Sequence, residues 1–326
     1  MVPNAASQPR PSASSDAPVL LVGAGVAGVS CALWLDTFGV PMRWVDLCGR
    51  VGGTLHRIRH DIMNYPGLAA MDGAALAARL SNQVERRALR LESAFVEAID
   101  IHRMEAHWGE SSSAHPYVVL ATGTSPKRLG LSGERELWGR LVFGSSHQAA
   151  EHLRARPVLV VGEGDGAFEG ALILARAGSK VLLAHRSEKV RRARLAFREA
   201  VASCAEISVH ASTQIVAWEE SARGIEVELQ SVGKRWSIEL GAVVLKLGVR
   251  PNLPSLIGQL ERDERGFIRV DCQCQSSAAG VFAIGDVTAQ PLQCIALAAA
   301  QGAAAASCIA RRLGLLFNDY VPKERS

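Results

Sequence analysis

Two glycine-rich stretches, PVLLVGAGVAG at Pro18–Gly28 and VLVVGEGDGA at Val158–Ala167, decide the fold of this chain. In each, an apolar run of strand length leads into a glycine loop, and a helical pattern follows. This order opens a dinucleotide-binding fold, in which glycines allow a tight turn and close approach of a pyrophosphate to the helix N-terminus. We therefore expect two nucleotide sites, formed by Gly23, Gly25, Ala27 and Gly28 in the first and by Gly162, Gly164, Asp165, Gly166 and Ala167 in the second.

The residues that follow each loop predict different ligands. About 20 residues past the first loop, the strand Met42–Val45 ends in Asp46, and an acid at this position accepts hydrogen bonds from a ribose hydroxyl. The strand Lys180–Ala184 of the second unit is followed by Arg186 and then Arg191, and cations there suit a ribose 2′-phosphate. The first site is therefore predicted to hold FAD and the second NADPH.

Together these residues resemble the thioredoxin-reductase-like class of pyridine-nucleotide flavoproteins over nearly the whole chain. Further parts of the resemblance are Gly52-Gly53-Thr54, Asn64-Tyr65-Pro66-Gly67, Ala121-Thr122-Gly123, Glu169, His185-Arg186, Gly248-Val249-Arg250-Pro251-Asn252, the stretch from Gly280 to Gly285-Asp286, and Gln293. The resemblance implies FAD contacts from Gly53, Thr54, Asn64, Tyr65 and Gln293, and a homodimer. Tyr65 could alternatively be a core residue.

The resemblance also implies how the domains are divided. In flavoproteins of this architecture the Ala121–Gly123 turn ends the first FAD segment, and Gly285-Asp286 supplies a carboxylate to the ribityl and phosphate region. The expected fold class is α/β, with two Rossmann-like three-layer domains. A discontinuous FAD domain, 18–126 and 248–326, would enclose an inserted NAD(P)H domain, 127–247. The chain would cross between them at 124–128 and 248–251, and residues 1–17 would be a disordered tail.

One feature of the resembling family is missing. Its two redox-active cysteines fall on Ser145 and Gln148, and no cysteine occurs from Phe143 to Pro157. The expected enzyme is an FAD-dependent NAD(P)H oxidoreductase that passes electrons directly to a non-thioredoxin acceptor. That acceptor would be a ferredoxin- or flavodoxin-type protein, a quinone or a small organic substrate. His147 is a candidate proton donor to it, or else a surface histidine.

Other departures concern the nucleotide site and the remaining cysteines. Glu163 stands where the family usually has glycine, which predicts like-charge repulsion of the pyrophosphate. Ser187 replaces one of three phosphate-binding arginines. Cys272 and Cys274 would lie on one face of a strand, which suits packing as well as redox chemistry. The basic run 186–198 is interpreted as a phosphate site or a solvated helix face.

Two further functions remain open. A flavin-dependent monooxygenase is loosely indicated by Phe143-Gly144-Ser145-Ser146-His147, although the full fingerprint of those enzymes is absent. A flavin-binding protein with little or no NADPH turnover, or one reduced by ferredoxin, is suggested by Glu163, Ser187 and the missing thiols.

Composition restricts the setting of the protein. Its 326 residues suit two domains, and a net charge of +4 without a concentrated basic stripe argues against nucleic-acid binding. The sequence has no apolar stretch of the length that crosses a membrane. Seven cysteines at irregular spacing favour a reducing, cytoplasmic location, and no second pair completes a zinc site, so no metal is expected.

Overall fold

A computed structural model describes residues 17–59, 61–153 and 156–316. The predicted disordered tail, apart from Ala17, lies outside the described residues. The chain divides into two compact units. The flanking unit consists of the described residues up to Ser125 together with those from Arg250 onward, and the inserted unit is Pro126–Val249.

The first segment of the flanking unit alternates strands and helices and then forms a run of short strands. Helix α2 begins where Asp72 accepts a hydrogen bond from the Ala75 N–H group at 2.8 Å. The elements are β1 (Val19–Val22), α1 (Val26–Thr37), β2 (Met42–Asp46), a 3-10 helix (Gly53–Arg57), α2 (Gly73–Arg86), β3 (Leu91–Ser93), β4 (Ala98–Asp100), β5 (Glu105–Trp108), β6 (Ser111–Ala114), β7 (Val118–Leu120) and β8 (Thr124–Pro126).

The inserted unit repeats the strand–loop–helix opening and ends in an antiparallel meander. Its elements are α3 (Glu134–Leu137), β9 (Val142–Phe143), α4 (Ser146–Leu153), β10 (Val158–Val161), α5 (Asp165–Arg176), β11 (Val181–Ala184), α6 (Leu195–Ala202), β12 (Ile207–His210), β13 (Gln214–Ser221), β14 (Gly224–Ser231), β15 (Lys234–Leu240) and β16 (Ala242–Leu245).

The chain then returns to the flanking unit. The returning elements are β17 (Val249–Pro251), β18 (Ser255–Ile257), β19 (Val281–Ala283), a 3-10 helix (Gly285–Val287) and α7 (Ile295–Arg312). The two crossing segments contain β8 and β17, which pair as a two-stranded ladder. Across the described residues, every helix is too short or too polar to span a membrane.

The flanking unit has three layers built around a parallel sheet of order β19-β7-β1-β2-β3. Side chains of a strand point alternately to its two faces. Val19 and Leu21 therefore pack with α1 and α7, whereas Leu20 and Val22 pack against the antiparallel part of the sheet β18-β4-β5-β6. Both faces of β1 are buried, which explains its unbroken apolar sequence.

The inserted unit has the same construction. Its parallel sheet has the order β12-β11-β10-β16-β9. Val158 and Val160 face the helical layer, while Leu159 and Val161 face the antiparallel sheet β13-β14-β15. The predicted α/β class with two Rossmann-like three-layer folds is confirmed. A second sheet forms the third layer in each unit, wholly antiparallel in the inserted unit and antiparallel except for the β18–β4 pair in the flanking unit. The sequence did not predict these sheets.

Candidate functional site

The first glycine loop lies at the carboxyl end of β1. A Cβ on Gly23 would lie 2.2 Å from the Ala121 carbonyl oxygen, and one on Gly28 would lie 2.0 Å from the Gly23 oxygen. Both positions therefore require glycine. A Cβ on Gly25 would meet no atom within 4 Å, so the backbone there is open to a ligand. No described side chain caps α1, which leaves N–H groups of its first turn for an anion.

Asp46 lies beside this loop, at the carboxyl end of β2. Its Oδ2 atom accepts a hydrogen bond from the Ala24 N–H group at 3.0 Å, and its Oδ1 atom accepts one from the Cys48 N–H group at 2.8 Å. Each carboxylate oxygen can accept a second hydrogen bond. The carboxylate is thus held in place by the backbone while it retains capacity for a ribose hydroxyl.

The Ala121–Gly123 turn is held by a residue from the returning segment. The Asn252 N–H group donates to the Gly123 oxygen at 2.9 Å, and the Asn252 amide donates to the Thr122 oxygen at 3.1 Å. The Thr122 hydroxyl donates to the Asn252 oxygen in return. These bonds tie the two segments of the flanking unit together beside the first glycine loop.

The Gly285-Asp286 turn is also fixed by hydrogen bonds. The Gly285 N–H group donates to the Gln301 side-chain oxygen at 2.7 Å, and the Gln293 side-chain amide donates to the backbone carbonyl oxygen of Asp286 at 3.2 Å. Gly285 lies against Ala27, since a Cβ on Gly285 would lie 2.8 Å from the Ala27 Cβ. No donor among the described residues reaches the Asp286 carboxylate, and burial raises its pKa. A desolvated carboxylate without a donor fits a ligand rich in hydroxyl groups, such as the ribityl chain of FAD.

The remaining residues predicted to contact FAD lie around the first 3-10 helix. A Cβ on Gly53 would lie 3.1 Å from the Gly25 Cα atom, so this turn packs against the glycine loop. Thr54 and Asn64 are exposed. Tyr65 is half-buried and packs against the cluster of Leu55, Ile62, Met71, Leu76 and Ala77, in keeping with the core interpretation. The residues of the flanking unit together fit FAD.

The second glycine loop repeats this geometry at the end of β10. A Cβ on Gly162 would lie 2.5 Å from the Lys246 oxygen, whereas Cβ atoms on Gly164 and Gly166 would meet nothing within 4 Å. Ala167 is buried against Gly162. As with α1, no described side chain caps α5. The loop therefore presents open backbone and a helix N-terminus that no described side chain caps to a pyrophosphate.

The two acids of the second loop bind the segment that follows β11. The Glu163 carboxylate accepts hydrogen bonds from the Ser187 hydroxyl at 2.6 Å and from the Arg191 N–H group at 3.1 Å. Asp165 accepts bonds from the Arg194 N–H group at 2.8 Å and from its Nε atom at 2.7 Å. The Glu163 carboxylate reaches across to Ser187, just past the end of β11 and 24 residues along the chain. Repulsion between this carboxylate and the pyrophosphate stays a prediction.

The cations predicted to bind the 2′-phosphate are exposed. Neither the Arg186 nor the Arg191 guanidinium group forms an ion pair within the described ranges. His185 is buried, and its Nδ1 atom has no hydrogen-bond partner among the described residues. The exposed Arg186 is thus the sequence neighbour of Ser187, whose hydroxyl donates to Glu163.

Comparison with known proteins identifies the family. Residues 17–302 match the family described as pyridine nucleotide-disulphide oxidoreductase. The chain belongs to this family. It is 28% identical to the thioredoxin reductase of Treponema pallidum, covering 93% of this chain and 99% of that one. It is 30% identical to the thioredoxin reductase of Peptoclostridium litorale, covering 88% and 94% respectively.

The structure agrees with this membership. The fold is similar to that of Lactococcus lactis thioredoxin reductase, with a TM-score of 0.77 and 25% identity, covering 91% of this chain and 99% of that one. The thioredoxin-reductase-like resemblance is therefore confirmed. The chain is an FAD-dependent NAD(P)H oxidoreductase, and its family uses FAD and NADPH.

Unlike a disulphide oxidoreductase with a thiol pair, this chain has hydroxyl and amide side chains at the start of α4. The Ser145 oxygen atoms accept hydrogen bonds from the Gln148 N–H group at 3.4 Å and the Ala149 N–H group at 3.1 Å. Ser145 thus precedes the helix as a capping residue. His147 is half-buried in the first turn. Neither Ser145 nor Gln148 can form a disulfide.

A half-buried lysine lies next to the same helix. Burial lowers the pKa of Lys246, and the Glu169 carboxylate opposes this shift. A Cβ on Gly170 would lie 3.3 Å from the Lys246 Cε atom and 2.3 Å from the Ser146 Oγ atom, so these residues meet where α4 packs against α5. The Ser146 hydroxyl is buried without a hydrogen-bond partner in the described part of the chain. No pattern in the sequence marked Lys246 as a candidate site residue.

The seven cysteines are all described and unbridged. The prediction that Cys272 and Cys274 share a face of a strand is wrong. They lie in a turn, where Cys272 is exposed, Cys274 is buried, and Cys274 has a φ of 64°. Burial raises the pKa of Cys274 to about 12, and it also raises that of Cys308. Since the thiolate is the reactive form, these buried thiols are poorly suited to redox chemistry.

Several positioning residues were missed by sequence reasoning. Gln301 holds the Gly285 turn, and the Trp44 indole donates to the Gly23 oxygen at 3.0 Å. Asn252 belongs to the family resemblance, but its role of holding the Ala121–Gly123 turn was not predicted. Gln301 is a polar residue within the otherwise Ala-rich α7, and this departure from the apolar composition was the signal in the sequence that could have identified it.

Within the described ranges, no group of three or more His, Cys, Asp or Glu residues could hold a metal ion.

Proposed function

We propose that this protein takes reducing equivalents from a pyridine nucleotide and passes them directly to an acceptor other than a thioredoxin-type disulfide. The observation that carries the proposal is the pair Ser145 and Gln148, which replaces the thiols of the family. A serine and a glutamine cannot accept electrons, so the usual relay is absent. The raised pKa of Cys274 argues against a substitute relay in that turn.

The two sites have separate tasks in this proposal. When bound, FAD supplies the chemistry of accepting a hydride and releasing electrons. In the flanking unit, Gly23, Gly25 and Gly28 admit the pyrophosphate, Asp46 binds a ribose hydroxyl and Asp286 binds the ribityl region. The remaining FAD contacts are assigned to Ala27, Gly53, Thr54, Asn64, Tyr65, Ala121, Thr122, Gly123, Gly285 and Gln293.

In the inserted unit, the pyridine nucleotide is assigned to the second glycine loop. Its pyrophosphate would lie at the open backbone of Gly164 and Gly166, in front of the uncapped end of α5. Asp165 and Ala167 support the turn, and Arg186 and Arg191 lie beside the ribose. We also propose a homodimer in the cytoplasm, which sedimentation and cell fractionation test directly.

We assign His147 the role of proton donor to the acceptor, because it lies between the two positions that replace the thiols. In a His147→Asn variant, flavin reduction by the nucleotide stays at the wild-type rate. Turnover with a proton-requiring acceptor such as a quinone falls by about 10²-fold, the lower range for general acid catalysis. Equal turnover of the variant and the wild type would remove this role from His147.

The experiment that tests the function is anaerobic reduction of the purified flavoprotein. NADPH and NADH are added in parallel, and the visible flavin absorbance reports reduction. The reduced protein is then mixed with a ferredoxin, a flavodoxin, a quinone and oxidised thioredoxin. We expect reoxidation by one of the first three classes and none by thioredoxin.

Two results would contradict the proposal. Fast reoxidation by thioredoxin would show that a thiol relay exists elsewhere in the chain. If neither nucleotide reduces the flavin, the alternative of a binding protein gains support. Reduction by reduced ferredoxin would then identify a protein whose electrons enter from that donor.

A further inference from the structure

Glu163 connects the second glycine loop to the segment that follows β11. Its carboxylate accepts the Ser187 hydroxyl at 2.6 Å and the Arg191 N–H group at 3.1 Å. The neighbouring Asp165–Arg194 pair, at 2.7 Å, fastens the same two segments together a few residues further along. The carboxylate of Glu163 is therefore held in one place by a hydroxyl donor and a backbone donor.

The end of the second strand of a dinucleotide fold is where the adenosine ribose binds. An acid there accepts hydrogen bonds from the 2′- and 3′-hydroxyls of NADH, whereas a cation there receives the 2′-phosphate of NADPH. The strand end here is Ala184, followed by the loop that contains Arg186, Ser187 and Arg191. Glu163 belongs to the glycine loop, but its carboxylate lies among the donors of this ribose loop.

The flanking unit shows the same contact with its direction reversed. There the acid is at the strand end, and Asp46 reaches the Ala24 N–H group of the glycine loop. In the inserted unit the acid is in the glycine loop, and Glu163 reaches the strand end. Both arrangements place one carboxylate between the glycine loop and the residues after the second strand.

The surroundings of Glu163 keep its carboxylate ionised. The Ser187 hydroxyl and the Arg191 N–H group lower its pKa, and the positive charge of Arg192 adds to the effect. The carboxylate carries one negative charge, and it occupies the Ser187 hydroxyl, at the position of one of the family's phosphate-binding arginines, and the Arg191 backbone N–H group. A phosphate monoester, with a charge of about −1.5 to −2 at neutral pH, would be repelled by it.

We propose that Glu163 is the residue that determines nucleotide specificity, by standing in for the 2′-phosphate and accepting the ribose hydroxyls. NADPH must displace the carboxylate from Ser187 and Arg191, whereas NADH binds to it. NADH therefore binds this chain at least as tightly as NADPH. This inference rests on the proposed function only in assuming that the second loop binds a pyridine nucleotide.

The test is calorimetric titration of the full-length flavoprotein with NAD⁺, NADP⁺, 5′-AMP and 2′,5′-ADP. We compare the wild type with Glu163→Ala and Glu163→Gln variants. In Glu163→Ala, NADP⁺ and 2′,5′-ADP bind about tenfold more tightly and NAD⁺ binds several-fold more weakly, as expected for one charge-assisted hydrogen-bonding group. Glu163→Gln, which keeps the shape but loses the charge, gives a smaller gain for NADP⁺.

A matched control is Glu188→Ala, which removes an exposed negative charge from the same loop. It should leave the ratio of the two affinities within about twofold, because no hydrogen bond among the described residues joins the Glu188 carboxylate to the Ser187 hydroxyl or the Arg191 N–H group. The inference is overturned if wild type binds NADP⁺ much more tightly than NAD⁺, or if Glu163→Ala leaves their ratio unchanged. Failure of both nucleotides to bind would instead contradict the proposed function.

Discussion

Asp286 is a single side chain that the fold prepares for a ligand. The Gly285–Val287 turn holds it in a partly buried position, and burial raises the pKa of its carboxyl group above the ordinary value of 3.8. A carboxyl group with a raised folded pKa costs stability once it ionises. The apoprotein therefore bears a cost at neutral pH that hydrogen bonds from FAD would offset.

An Asp286→Asn substitution separates these two effects. At pH 7 the variant apoprotein should have the higher free energy of unfolding, because an amide carries no charge to desolvate. This advantage shrinks as pH falls through the raised pKa and vanishes below the ordinary value of 3.8, where both forms are neutral. Urea unfolding of the apoprotein at several pH values measures the difference.

The same variant should bind FAD about tenfold more weakly, because it loses a charge-assisted hydrogen bond. Flavin fluorescence gives this affinity. Glu264→Gln, at an exposed position, is the control and should change neither quantity. A variant apoprotein that is no more stable than wild type at pH 7 would argue against the desolvation of Asp286.

Helices α1 and α7 pack closely enough that their contact depends on one glycine. A Cβ on Gly302 would lie 2.5 Å from the Ala27 oxygen and 2.7 Å from the Cys31 nitrogen. Both atoms belong to the backbone of α1, so a side chain cannot move aside to make room. This contact supports the helix that begins at the first glycine loop.

For this reason Gly302→Ala should lower the free energy of unfolding. Alanine in a helix normally gains about 0.5–1 kcal/mol over glycine, whereas overpacking of this kind costs about 1–3 kcal/mol. The net loss should appear in urea titrations, together with a lower FAD content after purification. Ala300→Ser, at an exposed position of the same helix, should stay within about 0.5 kcal/mol of wild type. If Gly302→Ala instead raises the free energy of unfolding, α1 and α7 can move apart without cost to admit the added methyl group.

The helices and strands that could be predicted from the sequence are those with a clear local pattern of apolar residues and glycines. The buried runs of β1 and β10 and the glycine loops after them carry a strong signal, because strands buried on both faces are apolar throughout. The antiparallel strands of the third layers were not foreseen. Strands β4, β5 and β6 have only three or four residues each, too few for a clear alternation. The strands β13, β14 and β15 have seven or eight residues, and the alternation along β14 was the signal available for them. The turn at Cys272–Cys274 was mistaken for a strand, because alternation over three residues does not distinguish the two.

Considered as a whole, the chain contains the same three-layer unit twice, and it carries serine and glutamine, not cysteines, at the start of α4. Ser145 and Gln148 lie three residues apart, at the capping position and in the first turn. Thiols at a helix N-terminus have a lowered pKa and react readily. The fold therefore retains a suitable position for the pair of thiols that the sequence lacks.

A variant with both Ser145→Cys and Gln148→Cys should form a disulfide between these positions. After reduction the double variant should have two more reactive thiols than the wild type. After mild oxidation the two proteins should have the same number of reactive thiols. Thioredoxin reduction should then appear, measured as NADPH- or NADH-dependent release of thioredoxin thiols. Ser145→Cys alone is the control and should show neither effect. A double variant that stays reduced under oxidising conditions would contradict the alignment of these residues with the family's cysteines.

The sequence by itself determined the two nucleotide-binding units, the acid at Asp46 and the absence of the thiol pair, because each is a local pattern of residue types. Tertiary structure alone decided where the Glu163 carboxylate points, which residues hold the Gly285 and Ala121–Gly123 turns, and that Lys246 lies half-buried beside α4. The reason is that these contacts join residues far apart in the chain. A hydrogen bond from Gln301 to Gly285, or from Ser187 to Glu163, depends on how strands and helices pack, and no periodicity in the sequence records that packing.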